Sequence, residues 1–290
     1  MDKSRKLRQL FTKKKLTRIV GAHNGLSAKL VERAGFDGVW ASGLEISASY
    51  GIPDASLVSM YQFLEAARSM NEVIDIPIVA DCDTGYGNAT NVMYMVKRFE
   101  EAGIAAVSIE EKKFPKDNSL LAGGRQELLR VEEFEGKIEA AKSAQKNSGF
   151  MVIARVEALI AGWGQEEAQM RAHRYAEAGA DAILIHSKSS DPGEVLEFIN
   201  NWDLDVPLVL VPTNYPSLKE KDIEALGKVK MVIYANHGLR AAIKGMETIF
   251  AKIKGDGGID DLDELIDPVS HIFGIQGVPE MKENEKKFLR

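Results

Sequence analysis

The chain has one cysteine, Cys82, among 290 residues. It can therefore form no intrachain disulfide and no cysteine-clustered metal site, and the cytosol is its simplest compartment. The start, Met1 to Leu16, is basic through Lys3, Arg5, Lys6, Arg8, Lys13, Lys14 and Lys15. It lacks the apolar core of a secretory signal, and no spanning segment follows it. We read it as a solvated leading helix. Excess positive charge is lacking too: the net charge is −6, which argues against nucleic acid or an anionic membrane as the main partner. No Gly-x-Gly-x-x-Gly follows the first apolar run, which lowers the case for a doubly wound open sheet.

What is present is a core's worth of hydrophobic residues, 45%, and a recurring pattern. Ala34-Gly35-Phe36-Asp37 leads into Gly38-Val39-Trp40. Ala102-Gly103-Ile104-Ala105 leads into Ala106-Val107-Ser108-Ile109-Glu110, and Ala178-Gly179-Ala180-Asp181 into Ala182-Ile183-Leu184-Ile185-His186. Each copy follows an amphipathic stretch, with Gly where a helix C-terminus takes a left-handed residue. The apolar run after it reads as a strand buried on both faces, as parallel sheets require. Arg18–Ala22, Ile76–Ala80, Met151–Ala154, Pro207–Val211 and Met231–Ala235 are further runs of this kind, which makes eight strands. Helical stretches such as Asn88–Glu101, Val131–Gln145, Gln165–Ala178 and Asn236–Lys252 separate them. Eight strand–helix units in roughly 240 residues predict an α/β fold, a (β/α)8 TIM barrel, as one domain over 1–290. The tail, Gly255 to Arg290, lies beyond the eighth unit and is expected to form helices that pack on a neighbouring subunit.

In such a barrel the active site forms at the C-terminal strand ends. The residues there are polar: His23, Ser42-Gly43, Asp81-Cys82-Asp83, Glu110-Glu111-Lys112, Arg155, His186, Thr213-Asn214 and Asn236-His237. Asp81 and Asp83, two apart on an extended segment, can point the same way. With Glu110 they make a carboxylate cluster whose members would repel one another and raise their pKa values. A hard divalent cation, Mg²⁺ or Mn²⁺, suits this all-oxygen set better than Zn²⁺; helix capping or pairing with arginine is the alternative. Arg155 is the natural anion receptor, unless Glu157 or Glu110 takes it as an ion pair. Ser42-Gly43 offers backbone N–H groups to a carboxylate or enolate oxygen. The turn Thr84-Gly85-Tyr86-Gly87 lets backbone approach a ligand. The long polar segment Lys112 to Arg125, with Gly123-Gly124 as hinge, reads as a lid. Phosphoryl chemistry needs one, because water would otherwise capture the phosphoryl group.

From about Ala22 to Arg240 these residues resemble the phosphoenolpyruvate mutase/isocitrate lyase superfamily. The likeness covers Trp40-Ala41-Ser42-Gly43-Leu44, Asp81-Cys82-Asp83-Thr84-Gly85-Tyr86-Gly87-Asn88, Arg155-Val156-Glu157-Ala158 and His186-Ser187-Lys188. It implies a barrel that exchanges its eighth helix between subunits and assembles as a homodimer or homotetramer. It implies Asp81 as direct metal ligand, with Asp54, Asp83 and Glu110 holding the metal's waters. Ser42, Gly43 and Leu44 would bind a pyruvyl part beside Trp40, and Arg155, His186 and Asn118 a phosphoryl group. Lys116 and Leu120 would belong to the closing lid.

The lid segment separates the branches of the superfamily. The lyases carry Lys-Lys-Cys-Gly-His there, and this chain has Lys112-Lys113-Phe114-Pro115, so carbon–carbon cleavage is not expected. The mutases carry Glu-Asp-Lys, five residues, then Asn-Ser; here stand Glu110-Glu111-Lys112, five residues, then Asn118-Ser119. The implied activity is Mg²⁺-dependent interconversion of phosphoenolpyruvate and phosphonopyruvate. The alternative is hydrolysis of phosphonopyruvate to pyruvate and phosphate. The hydrolytic branch looks similar at Glu45–Tyr50 and Gly124–Leu128, but carries Thr at the position of Asn118 and Arg at that of Lys188. A non-catalytic scaffold is a third reading, against which the intact ring of site residues argues.

Overall fold

The computed structural model describes residues 2–290; Met1, where the basic leading segment begins, lies outside the described residues. The strands are β1 (Thr17–Ala22), β2 (Gly38–Ala41), β3 (Ile78–Asp81), β4 (Ala106–Glu110), β5 (Met151–Val156), β6 (Ala182–Ile185), β7 (Leu208–Leu210) and β8 (Val229–Tyr234). Each pairs in parallel with the next, and β8 pairs with β1, so the barrel closes in sequence order. Helix α1 (Lys3–Lys13) precedes β1 and α2 (Gly25–Arg33) follows it. After β2 come α3 (Gly43–Ser49) and α4 (Met60–Asn71), and after β3 and β4 come α5 (Ala89–Glu101) and α6 (Val131–Ala144). After β5 come α7 (Ala158–Ala161) and α8 (Gly164–Glu177), and α9 (Gly193–Asn201) and α10 (Glu220–Ala225) follow β6 and β7.

The recurring pattern folds as its chemistry requires. Gly35, Gly103 and Gly179 have φ of 80°, 76° and 101°, so each ends its helix in the left-handed region before the next strand. Side chains alternate along a strand with period two. One row therefore faces into the barrel: Val79, Ala106, Met151, Ile153, Ala182, Leu184, Val209, Met231 and Ile233 form a single buried apolar cluster. The same row, continued past the apolar layers, carries Asp81, Arg155, His186 and Thr213 to the C-terminal mouth. The opposite row packs against the helices in a second, larger cluster.

The leading helix is more than a solvated arm. Leu7 and Phe11 of α1 are buried in the interior cluster with Ile19 and Met151. Arg8 donates to the carbonyls of Gly149 and Phe150, just before β5. Lys3 donates to the carbonyls of Asn71 and Ile74, before β3. Lys3 and Arg8, expected to face water, thus hold α1 across the N-terminal mouth, opposite the site, while Arg5, Lys13, Lys14 and Lys15 are exposed as expected.

The chain divides into two compact units, Met1–Asn236 and His237–Arg290. The second holds α11 (His237–Asp256), α12 (Val269–Gln276) and α13 (Val278–Phe288). The helix after β8 thus groups with the tail, ahead of the expected start of the extension at Gly255. None of the 20 residues of α11 is buried, whereas Leu262 and Ile275 of that unit are. Among the described residues no helix is long and apolar enough to cross a membrane.

Candidate functional site

The segment after β3 is not extended. Asp83, Gly85, Tyr86 and Gly87 have φ of 55°, 85°, 59° and 144°. Two of these four are not glycine, and such strain persists only where the surroundings enforce it. Three contacts do so. Cys82 N donates to Ser108 O and Glu110 N to Asp83 O, both at 2.9 Å, and Lys137 donates from α6 to Thr84 O at 2.9 Å. Asp81 and Asp83 therefore part company. Asp81 faces the cavity at the barrel mouth, where a Cβ at Gly43 would stand 3.0 Å from its Oδ2. Asp83 turns beneath it and is buried.

The carboxylates of Asp54, Asp83 and Glu110 do converge, but on the ammonium of Lys116. Its Nζ lies 3.4 Å from Asp54 Oδ1, 2.8 Å from Asp83 Oδ1 and 3.8 Å from Glu110 Oε1. Burial pulls the Lys116 pKa down, but Glu110, Asp83 and Asp54 outweigh it and hold the ammonium well above the ordinary lysine range. The counter-charge expected of a metal is thus met in this structure by a loop lysine. Among the described residues no three His, Cys, Asp or Glu side chains form a direct ligand set.

Asp81 has a different balance. Burial pushes its pKa up to about 6, against the opposing pull of Lys116 and Arg155. Among the described residues Asp83 Oδ2 and both oxygens of Glu110 are buried without a hydrogen-bond donor, with the Arg155 charge 3.3 Å from Glu110 Oε2. The Asp81 carboxylate, open to the cavity and with carboxylate oxygens short of donors behind it, fits a hard cation that takes one protein ligand and keeps its waters.

Ten of the thirteen expected residues line one cavity of about 60 Å³. Trp40, Ser42 and Leu44 form one side, and Arg155 and His186 another. Asp54 and Asp81 share the cavity with the loop residues Lys116, Asn118 and Leu120. Gly43 touches it through Asp81, while Asp83 and Glu110 support it from behind. Asn118 Nδ2 donates to Asp54 Oδ2 at 2.6 Å, and Asn118 Oδ1 accepts from Leu120 N at 2.9 Å. The loop therefore lies over the mouth.

Arg155 realises both of its expected alternatives. It lines the cavity, and it is ion-paired to Glu157 at 2.5 Å and to Glu110 at 3.3 Å. Its Nη2 donates to His186 Nδ1 at 3.0 Å. Burial lowers the His186 pKa, and the neighbouring Arg155 charge lowers it further. A neutral imidazole that accepts at Nδ1 carries its proton on Nε2.

Beyond the ion pair of Glu157 with Arg155, the sequence assigned the following residues no part in the site. Glu157 is fully buried and joins Arg155 to Lys112, at 3.2 Å. Glu111 accepts from Arg171 at 2.9 Å, from Tyr175 OH, and from Glu157 N at 2.8 Å. It braces the end of β5 from the helix side. Burial raises the Glu111 pKa, and Arg171 pulls it back. The signal was its place in the run Glu110-Glu111-Lys112: alternation sends the middle residue to the opposite face. Val211, Thr213, Ala235 and Asn236 complete the wall from β7 and β8.

A family model described as phosphoenolpyruvate phosphomutase matches residues 7–254. The chain belongs to the phosphoenolpyruvate phosphomutase family. The chain is 51% identical to a phosphonopyruvate hydrolase of Variovorax sp. (strain Pal2), over all of both chains. Its fold matches a crystal structure of a phosphoenolpyruvate phosphomutase from Streptomyces platensis subsp. rosaceus, with a TM-score of 0.96, 54% identity and 99% of each chain covered. It matches a phosphonopyruvate hydrolase in complex with oxalate and Mg²⁺ with a TM-score of 0.95, 50% identity and full coverage of both. This member of the family is therefore an enzyme, and magnesium is a metal of the family. Mutase and hydrolase relatives lie equally near, so overall similarity does not choose between them.

Proposed function

We propose that the protein interconverts phosphoenolpyruvate and phosphonopyruvate with Mg²⁺, moving a phosphoryl group between an oxygen and a carbon of the same pyruvyl unit. The observation that carries this reading is the meeting of Asn118 with Arg155 and His186 in one small cavity under the loop. Arg155 supplies a planar fork, His186 its Nε2–H and Asn118 its amide. All three are donors suited to phosphoryl oxygens. Beside Trp40, Ser42 and the N–H groups of Gly43 and Leu44 would take the pyruvyl oxygens, because the first N–H groups of a helix have no partner within it. Asp81 would bind Mg²⁺ directly, and Asp54, Asp83 and Glu110 its waters. Bound there, the metal supplies positive charge to the pyruvyl oxygens. Mn²⁺ is the other hard ion that the all-oxygen set accepts. The loop would keep water from the phosphoryl group while it is detached.

Hydrolysis of phosphonopyruvate is the second reading, favoured by the nearness of hydrolase relatives. It uses the same groups and differs in admitting water to phosphorus. Incubation with phosphonopyruvate and Mg²⁺, followed by ³¹P NMR, separates them. We expect phosphoenolpyruvate; inorganic phosphate with pyruvate would establish the hydrolase, and unchanged phosphonopyruvate would overturn both. Asn118→Ala should slow the reaction about 100-fold, the cost of one lost donor to a charged transition state. An unaffected variant would remove Asn118 from the site.

We also propose that the chain forms a homo-oligomer and works in the cytosol. Ile243, Met246, Phe250 and Ile253 are all exposed and recur at helical spacing along α11. A second copy of the chain would cover them in a homodimer or homotetramer with exchanged α11. Light scattering on the eluted protein should give twice or four times the chain mass of 31.9 kDa, and a monomer would dismiss the exchange. With its one thiol, Cys82, free and buried, the enzyme would work in the cytosol.

A further inference from the structure

Ser119 follows Asn118 on the loop and is 5% exposed. Its hydroxyl donates to Glu157 Oε2 at 2.5 Å. It accepts from Lys112 Nζ at 2.6 Å and from Arg155 Nη2 at 2.9 Å. A hydroxyl has one proton and two lone pairs, so Ser119 is used to capacity. Two cations and one anion meet on a neutral oxygen of the loop. Lys112 is equally saturated. Its ammonium, 1% exposed, reaches Ser119, the carbonyl of Asp117 at 3.0 Å and Glu157 at 3.2 Å. Its three protons thus have three acceptors, which makes burial of the charge tolerable.

We propose that Ser119 is a positioning residue: through its hydroxyl, closure of the 112–125 loop fixes the Arg155 guanidinium for the phosphoryl group. This rests on the proposed phosphoryl role of Arg155 and goes beyond it, because it makes that role depend on the loop. Arg155 Nη2 has one partner from the barrel, His186, and one from the loop, Ser119. His186 stays with β6 whatever the loop does. When the loop lifts, Nη2 loses Ser119, and Glu157 loses the hydroxyl that it shares with Arg155. Loop closure then completes the set of partners that holds the anion receptor, adding Ser119 to Glu157, Glu110 and His186. Lys116 and Asn118 tie the same loop to Asp83 and Asp54. The loop therefore has one latch on the carboxylate side of the cavity and another on the arginine side.

The test uses Ser119→Ala in the full-length enzyme, with Ser119→Thr to restore the hydroxyl. Two quantities are read: steady-state turnover of phosphonopyruvate with Mg²⁺, and tryptic cleavage at the exposed loop residues Lys113 and Arg125 with and without Mg²⁺ and oxalate. Ser119→Ala should lower kcat about 10- to 100-fold, the value of hydrogen bonds to charged groups, with KM within about threefold of wild type. Mg²⁺ with oxalate should protect the loop in the wild type and in Ser119→Thr, and fail to protect it in Ser119→Ala. An unchanged kcat, or a reduced kcat with protection intact, overturns the proposal. The cleavage readout is separate from turnover. If the wild type turns over no phosphonopyruvate while Ser119→Ala still abolishes protection, the reaction assignment fails and the latch stands.

Discussion

Asp81→Ala should reduce Mg²⁺-dependent turnover by about four orders of magnitude, the several kcal/mol that a bound divalent ion contributes at a developing negative charge. Asp83 is ion-paired to Lys116 at 2.8 Å, with Glu110 near both Lys116 and Arg155. Among the described residues Asp81 makes no ion pair; it faces the cavity and accepts a long hydrogen bond from Asp83 N at 3.2 Å. It is the carboxylate left for a ligand. Asp81→Asn is the sharper companion, since it keeps the size and the acceptor for Asp83 N while removing the charge. Both variants should give the circular dichroism of the wild type, and neither should bind Mg²⁺ with oxalate in a calorimetric titration. Wild-type turnover in either would overturn the metal assignment.

Much of this was legible in the sequence because two periodicities carry it. The Ala-Gly pattern before each apolar run marks helix ends, and the left-handed φ of Gly35, Gly103 and Gly179 is its structural counterpart. Alternation along each strand then decides which residues reach the mouth. Val79 leads to Asp81, Ile153 to Arg155 and Leu184 to His186, so the apolar plug and the polar site are one row read in order.

The rest failed to show for equally physical reasons. Nothing in Asp81-Cys82-Asp83 announces that Asp83 is left-handed, because only the contacts with β4 and α6 impose it. The loop read as a polar lid, yet Lys116 brings into the site the positive charge that the carboxylates were expected to take from a metal. Glu111 resembled a neighbour of the site, whereas its partners Arg171 and Tyr175 stand on α8, about 60 residues on. Alternation tells which face Glu111 takes, but the partners that meet it there are fixed by the closed barrel. The basic face of α1 misled for a related reason. Lys3 and Arg8 look solvated until backbone carbonyls at the barrel floor come within reach.

Arg155→Ala should be as damaging as loss of Asp81, with turnover down by about three to five orders of magnitude, the range for an arginine that offsets charge on a transferring phosphoryl group. The more telling variant is Arg155→Lys. It keeps the positive charge beside Glu157 and Glu110, so the buried carboxylates retain a counter-ion and the fold should persist. It loses the fork. In the structure every guanidinium nitrogen is placed: Nε on Glu157 at 2.5 Å, Nη1 at 3.3 Å from Glu110, and Nη2 on Ser119 and His186. A lysine ammonium can satisfy some of these positions but cannot hold a plane toward the cavity. We expect Arg155→Lys to lose about a thousandfold in kcat/KM. Loss in kcat with little change in KM would place the arginine at the transition state, whereas a purely electrostatic role would leave Arg155→Lys close to wild type. The comparison also bears on His186. With no guanidinium donor at Nδ1, the imidazole is free to move its proton to that nitrogen, and the Nε2–H that faces a phosphoryl oxygen in the proposed complex is lost. Adding His186→Ala to Arg155→Lys should then cost much less than it does in the wild-type background, because the two side chains act as one unit.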